Sequence, residues 1–291
     1  MTFEIEDGVL KKYNGRKATV TLPGGIVKIG RAAFWECKTL WEITIPEGVE
    51  EIGEDAFWFC PNLEKADLPR GLKEIGRDAF RGCAALKEVT FREGLDVIGA
   101  GAFDGCVSLQ EITLPEGMST VCHGAFSRCE KLEKVHYPRS LSWIGENAFD
   151  YNLSLKTLAI PGNVREVSAF AFSSCSSLEE VTLEDGVRKL CQSAFSFCKK
   201  LRRITLASSI DRIESPFFGC GSIREIIYEG KTYTTEHRRP DRDPRPRRVL
   251  EIVDLVNPRP KEPYKPLVFP AGYPYMDEQE YLNTGGEEDD D

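Results

Sequence analysis

Phenylalanine recurs at Phe34, Phe57, Phe80, Phe103, Phe126, Phe149, Phe172 and Phe195, in steps of 23 residues, and alanine precedes each of them. Three residues on come Cys37, Cys60, Cys83, Cys106, Cys129, then Asn152, then Cys175 and Cys198. Six residues on comes leucine, from Leu40 to Leu201. Two further apolar positions follow (Ile43 and Ile45 in the first copy), then a Pro-Glu-Gly turn, then a second apolar pair such as Val49 and Ile52. Eight in-phase copies restrict the chain to a stack of like units, because self-similarity at a fixed period of 20–50 residues is the mark of a solenoid or array. A ninth copy, read as Phe218-Gly219-Cys220 with Ile223, Ile226 and Tyr228, is one residue short.

Each stretch of the unit has a physical reading. Ile43-Thr44-Ile45 alternates with period two and is a short strand. Pro and Gly then turn the chain. Val-x-x-Ile-Gly runs along the next side, and Ala-Phe-x-x-Cys is read as a turn of helix on the outer side. One unit cannot bury its apolar face alone, but stacked units share a continuous core.

The stretch from Leu40 to Cys60, Leu-x-x-Ile-x-Ile-Pro-x-Gly-Val-x-x-Ile-Gly-x-x-Ala-Phe-x-x-Cys, resembles the BspA-like leucine-rich repeat family, and the likeness covers about residues 1 to 230. The resemblance implies a leucine-rich-repeat solenoid: a right-handed, curved stack of about nine 23-residue units with a parallel sheet on the concave side. It also implies a role in adhesion or protein interaction. Residues 3–15 look like the hairpin that caps such proteins. The expected organisation is an N-terminal cap over residues 1–24, the solenoid over 25–230, and an extended, proline-rich tail over 231–291, which holds nine of the 17 prolines.

Two function classes follow. The first is a non-catalytic scaffold that binds a protein ligand; the alternative is an exported bacterial surface adhesin, its signal removed, that binds host protein or glycan. The first residues are acidic, without a basic and then apolar leader, which reads as cytoplasmic, or as cell-surface if a leader was removed. A net charge of −9 argues against nucleic acid, whose binding rests on phosphate neutralisation. No run of 18 apolar residues suits a membrane span. A monomeric solenoid or a tail-mediated assembly is expected, and no cofactor.

No catalytic constellation stands out. The ten cysteines are mostly in one phase, which reads as a buried column of small side chains rather than a metal site. Cys122 and Cys191 fall in the slot of Gly53, Gly76 and Gly99; pairing with Cys129 or Cys198 is open only in an oxidising compartment. Cys122, His123, Cys129 and His136 lack zinc-site spacing. Gly99, Gly101 and Gly105 imitate a nucleotide loop but sit in repeat slots. The sequon at Asn152 falls in the buried column.

Three surfaces are candidates for binding. Side chains between the apolar strand positions point away from the core, giving a row Glu42, Lys65, Glu88, Glu111, Lys134 and Arg203 beside a row Thr44, Asp67, Thr90, Thr113 and His136. This face is either merely solvated or a concave site for a polar protein ligand. Trp35, Trp41, Trp58 and Phe59 crowd the first two units, either packed under the cap or forming a contact patch. In the tail, Val249, Leu250, Ile252, Val253, Leu255 and Val256 are too apolar to stay exposed. This segment is expected to cover the open end of the solenoid or to join a partner by strand addition.

Overall fold

A computed structural model describes residues 2–235 and 246–256. The chain is a solenoid in which every unit contributes a strand to each of two parallel ladders. The longer strands are β3 (Thr19–Thr21), β5 (Glu42–Thr44), β7 (Lys65–Asp67), β9 (Glu88–Val89), β11 (Glu111–Thr113), β13 (Lys134–His136), β15 (Thr157–Ile160), β17 (Glu180–Leu183), β19 (Arg203–Thr205) and β21 (Glu225–Tyr228). The shorter are β4 (Lys28–Ile29), β6 (Glu51–Ile52), β8 (Glu74–Ile75), β10 (Val97–Ile98), β12 (Thr120–Val121), β14 (Trp143–Ile144), β16 (Glu166–Val167), β18 (Lys189–Leu190) and β20 (Arg212–Ile213). Register follows the repeat: Ile43 stands beside Ala66 and Ile52 beside Ile75. The long ladder breaks after β9 and after β13. Those two strands are followed by Phe91 and Tyr137, aromatics in a slot that the other full-length units fill with Ile or Leu.

The core is a set of columns running along the stack. Tyr13 and the eight periodic phenylalanines end on Phe217, with successive rings 4.8 to 5.6 Å apart. Phe217, not Phe218, therefore holds the ninth rung, and Phe218 is 65% exposed. Phe217-x-x-Cys220 keeps the normal spacing, and Phe195 N–H donates to Pro216 O as Phe172 N–H does to Ala194 O. The missing residue thus lies between Ile213 and Pro216.

Beside the rings runs the cysteine column. Each thiol from Cys60 to Cys220 in this phase donates to the carbonyl of the phenylalanine one unit back, at 2.9 to 3.4 Å. Asn152 does the same through Nδ2, to Phe126 O at 3.1 Å, but its Oδ1 is buried with no partner. A buried orphan acceptor costs about 1–3 kcal/mol. Asn152→Cys is therefore expected to raise stability by roughly 1 kcal/mol in urea unfolding.

The outer segment is not a turn of helix. Its amides alternate: Phe57 N–H and Phe59 N–H donate to Ala79 O and Arg81 O of the next unit, while Trp58 N–H and Cys60 N–H donate to Asp55 O and Phe57 O of their own. Alternation requires a left-handed residue two places before and two after each core phenylalanine. Gly101 (φ 63°) and Gly105 (φ 73°) fill these slots in one unit, Asp55 (φ 55°) and Phe59 (φ 53°) in another. This accounts for the glycines that imitate a nucleotide loop. Gly99 has a separate reason: a Cβ there would lie 2.7 Å from the backbone of Gly76 and Arg77.

The ends are closed by different means. β1 (Phe3–Glu6) pairs antiparallel with β2 (Val9–Tyr13), and β2 joins the short ladder beside β4. β3 lies within the stretch read as cap, so the long ladder starts there. At the far end β22 (Lys231–Thr234) pairs antiparallel with β21. Of the two readings of the 249–256 segment, covering the solenoid end or strand addition to a partner, the structure has the first, and the segment does so as helix α1 (Arg247–Val256) and not as a strand. Val249, Ile252 and Val253 fall at helical spacing and are at most 1% exposed, within the common core and next to β20. Spacing of i, i+3 and i+4 makes one apolar helical face, which outweighs the β-branched composition. Leu250 is half-buried, and Leu255 and Val256 lie in the last residues of α1. Of the tail expected over residues 231–291, residues 236–245 and 257–291 lie outside the described residues. Among the described residues no helix is long and apolar enough to cross a membrane.

Candidate interaction surfaces

The long-strand face carries the rows read from the sequence. Thr44, Lys65, Asp67, Glu88, Thr90, Glu111, Thr113, Lys134, His136 and Arg203 are exposed, and Glu42 is half-buried. Parallel register sets each charge beside the next unit's, and several are already partnered. Lys65 Nζ lies 3.7 Å from Glu42. His136 Nε2 meets Glu111 at 2.7 Å. Arg203 bridges Glu180 at 3.0 Å and Glu225 at 2.7 Å. Such exposed pairs are each worth about 0–1 kcal/mol, and they offset part of the charge on the face.

The turn edge, where the left-handed slots lie, differs in chemistry. Trp35 stacks on Trp58 with centroids 4.2 Å apart, and Phe59 lies 5.5 Å from Trp58. Trp35 and Phe59 remain 46% and 44% exposed, so these rings stand on the surface and not beneath the cap. Trp41, just before β5, is exposed but makes no ring contact with the other three. Toward the other end, the same edge bears Tyr151, Phe170, Phe197 and Phe218, all exposed, with Phe197 and Phe218 edge-to-face at 5.4 Å. The sequence reading passed over this second set. For Tyr151, Phe170 and Phe197 its signal was an aromatic in slots that other units fill with Gly82, Gly105 or Gly124.

Between the two aromatic sets the edge is charged. Asp104 is 7% exposed and accepts from Arg81 Nε at 3.1 Å and from both Nε and Nη2 of Arg128, at 3.0 and 2.8 Å. Asp150 is less well served: one carboxylate oxygen is buried without a hydrogen bond. Burial pushes its pKa up to about 6, against the bonds from Ser173 and the Tyr151 amide. A folded pKa above the unfolded value means the native state holds this proton more tightly, so stability falls as pH rises from about 4 through 6. Asp150→Asn is expected to stabilise the protein by on the order of 1–3 kcal/mol at pH 7.5 and by almost nothing at pH 3.5. Urea unfolding at the two pH values checks this.

Nothing in the thiols suggests chemistry. Burial raises the pKa of Cys83, Cys106 and Cys129, so they stay protonated and inert at neutral pH. Cys191 donates to Glu166 at 2.9 Å and is pushed up to about 11, chiefly by burial. All ten cysteines are free thiols. Among the described residues no group of three or more His, Cys, Asp or Glu could hold a metal; Cys129 is in the core column and His136 on the long-strand face.

Comparison with known proteins agrees with this geometry. The BspA type leucine rich repeat region matches residues 4–133 and 96–224, in six copies. A leucine-rich repeat protein from Bacteroides ovatus is 31% identical with a TM-score of 0.63. That match covers 76% of this chain and 66% of the other, so the chain spans just under two thirds of that relative's length. The T. pallidum leucine rich repeat protein is 28% identical with a TM-score of 0.49, over 66% of this chain and 82% of that one. A leucine rich cell surface protein from Faecalibacterium prausnitzii is 22% identical with a TM-score of 0.47, over 77% and 90%. No curated protein matches significantly. The family model covers most of the residues, the repeat core supplies its physical reason, and the chain belongs to the BspA type leucine rich repeat family.

Proposed function

We propose that the chain is a non-catalytic scaffold that binds a protein, and that the aromatic turn edge supplies the anchors. One observation carries the reading. Phe59, Tyr151 and Phe197 are exposed at φ of 53°, 55° and 57°, in a column where other units use Gly82, Gly105 and Gly219. A bulky residue in the left-handed region is disfavoured by roughly 1–2 kcal/mol. The rings nonetheless stay 44%, 48% and 45% exposed, and strain held at exposed rings is a pointer to function. Large aromatics are also the commonest anchors of protein interfaces. The long-strand face is the second reading, with several of its charges partnered along the stack. The apolar face of α1 is turned into the core and serves the scaffold.

The test is affinity capture from cells that make the protein, with quantitative mass spectrometry. Three chains are compared: wild type, Phe59→Gly/Tyr151→Gly/Phe197→Gly, and Thr44→Ala/Thr90→Ala/Thr113→Ala. The proposal expects the glycine variant to lose the partner, with each ring worth about 2 kcal/mol. It expects the alanine variant to keep it. The opposite pattern assigns the ligand to the long-strand face.

A further inference from the structure

At the two ends of the stack the ladders end on four strands, and among the described residues three of these have a chain segment against them. β1 covers the first strand of the short ladder, β22 the last strand of the long one, and α1 packs at β20. The fourth is β3, which among the described residues pairs with β5 alone and has no strand at its outer edge. Parallel ladders use every second residue toward a given neighbour. Ala18 O accepts from Glu42 N–H and Leu22 N–H donates to Thr44 O, so the even positions serve β5. The N–H and C=O of Thr19 and Thr21 therefore face outward, and they have no hydrogen-bond partner among the described residues.

A groove of about 680 Å³ runs beside this edge, between the hairpin and β3. Its apolar lining is Phe3, Ile5, Tyr13 and Val20, and Ile5 is 44% exposed. Its one charged lining residue is Lys17, which follows Arg16; both are exposed, and neither has an ion-pair partner among the described residues.

We propose that the open edge of β3 is a strand-addition site for an extended, acidic segment of a partner protein. The free groups are backbone donors and acceptors in register, which another polypeptide strand satisfies. The fold meets the same need elsewhere with its own strands, β1 and β22. Alternate apolar side chains of the incoming strand fill the groove, and a carboxylate meets Arg16 and Lys17. A second copy of this chain is a poorer occupant. Residues 16–24 contain no Asp or Glu, so the β3 of a second copy offers Arg16 and Lys17 no counter-charge. This site is separate from the aromatic edge, and the two proposals stand or fall on different variants.

The test uses full-length protein and a blocked decapeptide in which valine alternates with threonine and two glutamates stand at each end. Hydrogen exchange is read with and without it, and affinity by fluorescence anisotropy. The proposal expects exchange at Thr19 and Thr21 to slow by roughly tenfold or more when the peptide is added. Thr19→Pro removes an outward N–H and leaves the bonds to β5 intact, as edge positions permit; it is expected to weaken binding about tenfold or more. Arg16→Glu/Lys17→Glu is expected to do the same with the thermal midpoint held, and carries the test if the proline variant does not fold. No protection at Thr19 and Thr21, or protection confined to other amides, overturns the proposal. So does concentration-dependent protection without peptide, which identifies a second copy as the occupant.

Discussion

Phe126→Ala is expected to destabilise the solenoid by about 3–5 kcal/mol, the range for emptying a large aromatic site in a core that cannot collapse. Phe126 is fully buried, with Phe103 at 5.4 Å on one side and Phe149 at 5.6 Å on the other. Phe91 meets it edge-on at 6.3 Å. The surrounding backbone is tied unit to unit by bonds such as Phe126 N–H to Ala148 O, which hold the cavity open. Stability in a stack is a sum over units and their nearest-neighbour contacts. One weak rung in the middle therefore uncouples the two halves. Urea unfolding should change from one transition to two, and a single transition with an unchanged midpoint would show that the ring column is not the core.

Ile252→Asp is expected to release α1. Ile252 lies between Val249 and Val253 on a face at most 1% exposed, and a carboxylate cannot enter that site unpaired. Three buried aliphatic side chains at roughly 1.5–3 kcal/mol each make the docking worth several kcal/mol. The pairs of Arg247 and Arg248 with Glu251 cannot hold ten residues helical in isolation. The far-ultraviolet helical signal of α1 should be lost, and amide exchange in β20 should rise. Exposure of the solenoid end should also promote self-association. A variant with unchanged helicity and exchange would mean that α1 is not held by these residues.

The repeat was legible because a stack repeats its core, and a 23-residue period in Phe, Cys and Leu has no other simple source. The columns, the register and the parallel ladders all follow from it. Less legible was whatever depends on one residue's place in the unit. The shortened copy reads naturally from Phe218, and only the constant Phe-x-x-Cys spacing assigns the rung to Phe217. The 249–256 segment mixes strand-like composition with helix-like spacing, and packing on the solenoid end decides for the helix. The outer segment reads as helix because Ala-Phe-x-x-Cys is a helical spacing. Its left-handed slots announce themselves only where glycine fills them. Where Phe59, Tyr151 or Phe197 fills one, the pattern hides both the backbone and the second aromatic set.

Those three rings separate scaffold from site, and their stability measures the account most directly. The unfolding free energy of Phe59→Gly/Tyr151→Gly/Phe197→Gly should stay within about 1–2 kcal/mol of wild type. Relief of left-handed strain offsets the added freedom of the unfolded chain, each roughly 1 kcal/mol per site. A loss of about 2 kcal/mol or more per site would contradict it, because the rings would then belong to the core and not to the surface that binds.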